Sequence, residues 1–561
     1  MRPETPLKVV LCWHMHQPDY RDHLRGEFVL PWVYLHAIKD YVDMAAHLEA
    51  VPGARAVVNF SPILLEQLRD YEMQLQGYLQ NGTAIRDPLL AMLDSAVMPG
   101  DAEHRMALIK ACLRSNRKHQ IDRFPAYKRL VELADHIITG PGLNTYLSDQ
   151  YLADLVTWYH LAWLGEIVRR SDTRVAGLIR QGSGFTIHQR RMLLELVHEL
   201  ISGLRSRYKS LSDSGQVELS MSPHAHPMLP LLMQFTDARD AMPGVQLPLL
   251  PCYPGGEQRA YWHLQHGMEV FEEYFGERPT GCWPSEGGVS AMTAKLAADA
   301  GFKWIATGEN VLRNSINGSG KAEKITNIFH AFQLQENRIN LYARDDTLSD
   351  LIGFTYADWH ADDAVGDLVH RLDTIAGHCH DRENTVVSII MDGENAWEYY
   401  PENAYYFISA LYQRLSEHPR ITLTTYRDLQ HIQPLTLDRL VAGSWVYGTF
   451  STWIGDKDKN RAWDILGEIK RAYDECYPGL ETGKRKQIDA QLAACEGSDW
   501  FWWFGDYNPA ATVSDFEHLY RVHIGNLYHM LRLEPPEYLA HSLSHGSGDP
   551  ALGGVIRPGN A

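Results

Sequence analysis

Short apolar, β-rich runs recur along the chain, and each ends in polar residues able to carry chemistry. Lys8 to Trp13 runs into His14-Met15-His16-Gln17-Pro18, and Ala54 to Phe60 into Ser61-Pro62. Gln216 to Ser220 leads to Pro223-His224-Ala225-His226, Thr280 to Trp283 to Pro284-Ser285-Glu286, and Lys303 to Thr307 to Gly308-Glu309. Ile339 to Ala343 leads to Arg344-Asp345, and Thr385 to Met391 to Asp392-Gly393-Glu394. Between them lie helical patterns such as Val289 to Ala300 and Asp363 to His378. Continuous apolar strands alternating with helices predict a parallel sheet. In a closed β/α barrel the reactive groups come from the C-terminal ends of several strands, which is where these polar clusters fall. An open doubly wound sheet is the alternative, but no Gly-x-Gly-x-x-Gly turn or phosphate loop follows any run. The expected fold class is therefore α/β, with a barrel over residues 1–430.

A helical insertion is expected at about 63–204, between the second and third strands. From about Pro434 the strand pattern stops, and Leu435 to Arg471 and Lys484 to Leu533 read as helices. A C-terminal helical domain over 431–540, packed on the barrel and completing its cleft, follows from this. Residues 541–561 are rich in Gly, Ser and Pro and read as a flexible tail.

Composition narrows the partners. A formal net charge of −18 argues against nucleic acid or an anionic membrane, both of which bind clustered positive charge. The 15 Trp and 28 Tyr offer rigid apolar faces on which sugar rings can stack, although core packing accounts for more than half of such residues in general. The seven cysteines are scattered, odd in number and without a Cys-x-x-Cys pair, so no disulfide framework is expected. With no secretion signal and no apolar run long enough to span a membrane, the chain reads as cytoplasmic.

Cleaving a glycosidic bond takes two carboxyl groups on opposite sides of the anomeric carbon, one protonated and one ionised. Three carboxylates here follow apolar strands directly: Glu286, Asp392 and Glu394. Any one alone would more often be a salt-bridged strand end. Asp392 and Glu394 are two apart and share a face if the strand continues, so spacing does not choose between them. His14 and His16, repeated as His224 and His226, either hydrogen-bond sugar hydroxyls, bind a metal ion or sit satisfied in the core. Without a His-Glu-x-x-His or a nearby Cys pair, no catalytic metal and no cofactor are expected.

The motifs taken together resemble glycoside hydrolase family 57, and within it the amylopullulanase-like branch, over roughly Lys8 to Pro536. His14-Met15-His16-Gln17-Pro18 is similar to the family's first conserved region, and Gln216-Val217-Glu218 with His226-Pro227 and Leu229-Pro230 to its second. Trp283-Pro284-Ser285-Glu286 is similar to the third and Met391-Asp392-Gly393-Glu394-Asn395-Ala396-Trp397-Glu398 to the fourth. Gly443-Ser444-Trp445 through Phe450, with Trp453-Ile454-Gly455, Asn460 and Ala462-Trp463, is similar to the fifth. The resemblance implies an incomplete seven-stranded barrel followed by a helical bundle, retention of α configuration and no metal in the chemistry. It implies Glu286 as nucleophile and Asp392, rather than Glu394, as acid/base. The strand-end and motif readings together make His14, His16, Gln17, Glu218, His226, Trp283, Arg344, Asp345, Glu394, Trp397, Trp445 and Trp453 the candidates for binding the sugar, with Glu394 orienting the catalytic pair.

The activity so implied is hydrolysis of α-1,4 and also α-1,6 bonds in an α-glucan polysaccharide or maltooligosaccharide. A 4-α-glucanotransferase is the alternative, differing only in the final acceptor. A metal-dependent polysaccharide deacetylase and a non-catalytic glucan-binding protein are rivals of other classes, distinguished by chelator sensitivity and by the behaviour of Glu286→Gln.

Overall fold

The computed structural model describes residues 5–140, 142–318, 325, 327–379 and 381–548. Seven parallel strands form the core: β1 Leu7–Met15, β2 Ala56–Phe60, β3 Val217–Met221, β4 Gly281–Cys282, β5 Trp304–Thr307, β6 Asn340–Ala343 and β7 Val386–Asp392. They pair in the order β7-β1-β2-β3-β4-β5-β6. The last seam, from β6 back to β7, is a single parallel bridge between Arg344 and Ser388. The sheet therefore curls into a seven-stranded barrel whose closure is one residue pair long, matching the expected incomplete barrel. Short strands decorate it: Ile421–Leu423 beside the start of β1, and Phe332–Leu334 beside β6.

Alternation along each strand fills the barrel in layers. Val10, Cys12, Val57, Trp304, Ala306, Tyr342, Val386 and Ile390 pack together inside, whereas Val9, Leu11, Trp13, Val58, Val387, Ile389 and Met391 belong to the larger core under the surrounding helices. Side chains two apart share a face, so His14 continues the inward set of Val10 and Cys12, and Asp392 that of Val386 and Ile390. Register aligns these upper positions: Asp392 pairs with His14, His14 with Asn59, and Asn59 with Ser220. One row of polar side chains thus caps the apolar filling at the C-terminal end of the strands.

The expected insertion is helical, running from Pro62–Asn81 through Ile187–Asp213. The C-terminal region departs from expectation at both ends. Leu435–Leu437 is a strand paired with Phe332–Leu334, and the helix expected from Leu435 starts only at Lys457, capped by Asp456. Apolar residues at 435–454 therefore pack as loop and strand against the barrel, where helical periodicity misreads them. The second expected helix is three, Thr482–Cys495, Ser498–Trp503 and Ala510–Met530, interrupted at Gly497 and again at Gly505, whose φ is +114°. Of the expected flexible tail, residues 541–548 are tied down: Ser544 is buried and accepts a hydrogen bond from the Gly505 N–H at 2.9 Å. The remainder, 549–561, lies outside the described residues. No helix of the described residues is long and apolar enough to cross a membrane.

Candidate active site

A cavity of about 600 Å³ opens at the C-terminal end of the strands, within the range of small-molecule sites. His14 and Asp392 of the polar row line it, and its acidic residues are Glu286, Asp392, Glu394, Glu398, Asp499 and Asp515.

Glu286 leaves β4 through Pro284-Ser285 and takes a left-handed conformation, φ +59°, ψ +24°, followed by Gly287 at φ +58°. A left-handed non-glycine residue is strained and persists only where its surroundings hold it. Here the Trp445 N–H donates to the Glu286 carbonyl at 3.0 Å, and Val289 and Gly443 exchange backbone hydrogen bonds at 2.9 and 3.1 Å. Gly287 has to be glycine on steric grounds as well, since a Cβ there would lie 2.8 Å from the Trp283 ring. The carboxylate is oriented by two donors, Trp445 Nε1 to Oε2 at 3.0 Å and Ser498 Oγ to Oε1 at 3.3 Å, with His226 Nδ1 3.8 Å away.

Asp392 is the last residue of β7, fixed by the register with His14 and by the Gly393 N–H donating to the His14 carbonyl at 2.7 Å. Gly393 approaches Met15 and Trp13 so closely that a Cβ would fall 2.4 Å from the Met15 sulfur. The Asp392 carboxyl accepts one hydrogen bond, from Asn395 Nδ2 at 3.0 Å. Glu394, beyond the strand end, turns to the His14-to-Gln17 segment: its Oε1 accepts from the His16 N–H at 3.0 Å and from Gln17 Nε2 at 3.2 Å. The parity that left Asp392 and Glu394 undecided is broken because β7 stops between them.

Three imidazoles stack along one wall. His16 and His226 are 3.8 Å apart, and His226 and His14 are 5.0 Å apart, with interplanar angles of 22° and 20°. His14 is anchored through Asn59 at 2.7 Å, which in turn donates to Ser220 at 3.0 Å. Burial and the neighbouring His16 push His14 down to about 3, and burial with both neighbours pushes His226 well below the usual range, so both rings are neutral at pH 7. Their Nε2 atoms are buried without a hydrogen-bond partner among the described residues.

The adjoining wall comes from the C-terminal helices. Ser498–Trp503 follows Gly497, and its Ser498 N–H donates to the His226 carbonyl at 2.9 Å. Asp499 meets His16 Nε2 at 3.0 Å, while Trp502 and Trp503 line the cavity with Phe516. This helix is tied to the barrel side by buried Glu496, which accepts from Tyr253 at 2.6 Å, Arg259 at 2.8 Å and His263 at 2.8 Å. Although burial opposes ionisation, Arg259 and His263 hold the Glu496 carboxyl down to about 2.

Electrostatically the site is crowded with acid. Burial, then the charges of Asp499 and Asp392, push Glu286 well above the carboxylate range, against the hydrogen bonds from Trp445 and Ser498. Burial also raises Asp392, opposed by Asn395, His16 and Arg344, and raises Glu394, where the Asp392 charge adds to it. Mutual repulsion and burial in such a set disfavour ionising all of its members at once, which suits the pairing of an acid with a nucleophile. His16, His226 and Asp499 each offer one donor atom within 4.8 Å of the others, so this wall also has the makings of a cation site.

Of the residues expected around the sugar, His14, His16, Gln17, His226, Glu394 and Trp445 line the cavity with Glu286 and Asp392. The others are placed elsewhere. Glu218 sits at the opposite end of the barrel interior, accepting from Trp304 at 2.8 Å, Thr280 at 2.9 Å and the Arg427 N–H at 2.7 Å. Trp283 and Trp397 are buried supports, edge-on to Trp445 at 5.4 Å and to Trp13 at 5.7 Å. Trp453 is buried beside Trp502, and its carbonyl accepts from Trp463 at 3.0 Å. Arg344 is buried in ion pairs with Asp346 and Asp350 beneath the Trp445 ring, 5.5 Å from its centre. Asp345 caps the helix Asp346–Asp350 by accepting from the Leu348 N–H. Ser498, Asp499, Trp502 and Trp503 were not anticipated. Their signal was the dense Ser-Asp-Trp-Phe-Trp-Trp run directly after a helix-breaking glycine.

A curled barrel with several carboxyls at its strand ends defines the class of barrel enzymes whose chemistry sits at that face. The model of the glycosyl hydrolase family 57 matches residues 10–437, and the chain belongs to that family. The fold is shared with a family 57 branching enzyme from Thermococcus kodakaraensis, at 13% identity and TM-score 0.56 over 93% of this chain and 90% of that one. It is shared likewise with an α-amylase from Thermotoga maritima, at 13% identity and TM-score 0.56 over 94% and 96%. A 4-α-glucanotransferase from Thermococcus litoralis aligns at 13% identity and TM-score 0.52 over 95% of this chain and 61% of its own. At such identities the likeness is one of fold. No curated protein sequence matches the chain.

Proposed function

We propose that this enzyme is a retaining α-glucan-active glycosidase of the amylopullulanase-like type, cleaving α-1,4 and also α-1,6 glucosidic bonds by double displacement. The observation carrying this reading is that Glu286 and Asp392 line one cavity and repel each other's charge. Glu286 is the nucleophile: two donors fix its oxygens and lower its carboxyl against the burial and acidic charges that raise it. Asp392, raised by burial and held through Asn395, is the acid that gives a proton to the glycosidic oxygen. Glu286 attacks the anomeric carbon as that bond breaks, forming a glycosyl ester. Asp392 then takes the proton of the incoming water as the ester is displaced, restoring the original configuration. The neutral rings of His14 and His226 hold the sugar between them and the aromatic wall of Trp502 and Trp503.

A second reading replaces water with a sugar hydroxyl, giving a 4-α-glucanotransferase. It is favoured by the apolar wall of Trp502, Trp503 and Phe516, which stacks a second sugar and sheds water. Product chromatography from pure maltotetraose decides: new reducing ends mark hydrolysis, and longer and shorter oligosaccharides without them mark transfer. Unchanged maltotetraose and unchanged pullulan would end both readings. A cytoplasmic location fits the seven unpaired cysteines.

A further inference from the structure

The histidines that the sequence pairs as His224 and His226 part company in the fold. His226 joins the active-site stack, whereas His224 is fully buried between the helices Pro62–Asn81 and Gly256–Phe275. There it meets Glu66 and His266. One donor atom from each of the three lies within 4.8 Å of the other two, and His224 Nε2 is already 3.3 Å from Glu66 Oε2.

Two imidazoles and a carboxylate are the donor set of His₂Glu zinc sites, where metal–ligand bonds of about 2.1 Å put tetrahedral donors about 3.4 Å apart. The Glu66 and His266 side chains are each 30% exposed, which gives these two outer arms room to adjust toward that spacing and leaves a fourth position to water. Glu269 meets His266 Nδ1 at 3.3 Å, the carboxylate–histidine pairing that accompanies metal-bound imidazole, while His224 Nδ1 is buried without a hydrogen-bond partner among the described residues. Trp262 packs on both rings, 4.6 Å from His266 and 5.4 Å from His224. The His224 backbone is fixed on both sides, its N–H donating to the His263 carbonyl and its carbonyl accepting from Ile63, each at 3.0 Å. Arg21 lies 3.8 Å from Glu66, but its short bonds go to Asp19 at 2.8 and 2.9 Å.

We propose that Glu66, His224 and His266 form a site for a divalent transition ion of the zinc class, separate from the glycosidic centre. The ion staples the segment carrying His226 to two helices and so stiffens one wall of the cavity from outside.

Chelator-treated full-length protein titrated with Zn²⁺ alone tests this, with Co²⁺ absorption as a report of tetrahedral coordination. The wild type is expected to bind one ion, with a rise in Tm. His266→Ala and Glu66→Gln each weaken binding at least 100-fold, and Glu269→Gln weakens it about 10- to 100-fold. Asp499→Asn leaves it unchanged, which separates this site from the His16, His226 and Asp499 wall. Far-UV circular dichroism verifies the fold of each variant, and Glu66→Gln decides if His266→Ala is unstable. Absence of stoichiometric binding to the wild type overturns the proposal. So does binding that survives His266→Ala and Glu66→Gln, or that is abolished by Asp499→Asn.

Discussion

Trp445 grips Glu286 twice, its indole Nε1–H donating to Oε2 and its backbone N–H to the carbonyl, both at 3.0 Å. A residue 159 positions further on thus sets both the strained backbone and the carboxylate of the nucleophile. Trp445→Phe keeps the ring and removes the indole donor. A hydrogen bond to a charged group is worth about 1.5–3 kcal/mol, so kcat should fall about 10- to 100-fold. Losing a donor that favours the anion raises Glu286 further, so the acid limb of the pH–rate profile moves to higher pH while the alkaline limb stays. A pH profile of kcat/KM checks both.

Asp499→Asn should act in the opposite sense. Its charge raises both Glu286 and Asp392, so neutralising it lowers both carboxyls and moves the whole bell toward acid. The same substitution loosens the His16 contact and should raise KM. A profile that narrows rather than slides would contradict the assigned geometry.

Glu286→Gln should abolish turnover yet stabilise the fold. Because the folded carboxyl is raised above its unfolded value, the folded state holds its proton longer, and stability is lost as pH climbs from about 4.3 toward the folded pKa. Gln never makes that loss. The Tm advantage of the variant should therefore be near zero at pH 4 and positive at pH 8, measured by calorimetry in matched buffers.

Glu218→Gln should do the reverse. Its carboxylate accepts three hydrogen bonds at the far end of the barrel, and an amide turns an NH₂ against at least one of those donors. We expect a loss of about 1–3 kcal/mol in stability, with kcat and KM per folded molecule unchanged. Denaturant melts beside active-site titration distinguish this from a substrate-binding role.

The barrel and its reactive end were legible in the sequence because its buried parallel strands read as apolar runs, each followed by polar residues. Asp392 and His14 were named from their places at strand ends, whereas Asn59 joins their row only through the strand register. Three further things were not legible. The aromatic anchors Trp283, Trp397 and Trp453 carry the same letters whether they face sugar or core, and only packing decides. Glu218 and Ser220 point inward alike, yet lie at opposite ends of one strand. Asp499 lies 107 residues beyond Asp392 on a six-residue helix whose position depends on the buried Glu496 cluster rather than on any local pattern.

Asp392→Asn should separate the two half-reactions. With a maltosyl fluoride, whose leaving group needs no proton, the glycosyl ester still forms but its hydrolysis slows, because water lacks a base. Azide needs none, so it should restore turnover and give the α-glycosyl azide. A β-azide would mark Asp392 as the nucleophile, and no rescue would point to a different acid.

Double displacement requires that Glu286 become covalently bonded to the sugar. Incubating Asp392→Asn with maltosyl fluoride, quenching in acid, digesting and sequencing the labelled peptide by mass spectrometry tests this. One maltosyl unit esterified to Glu286 is expected in the peptide around Trp283-Pro284-Ser285-Glu286. A label on Glu394 or Asp499, or fluoride release with no covalent adduct at any time point, would contradict it.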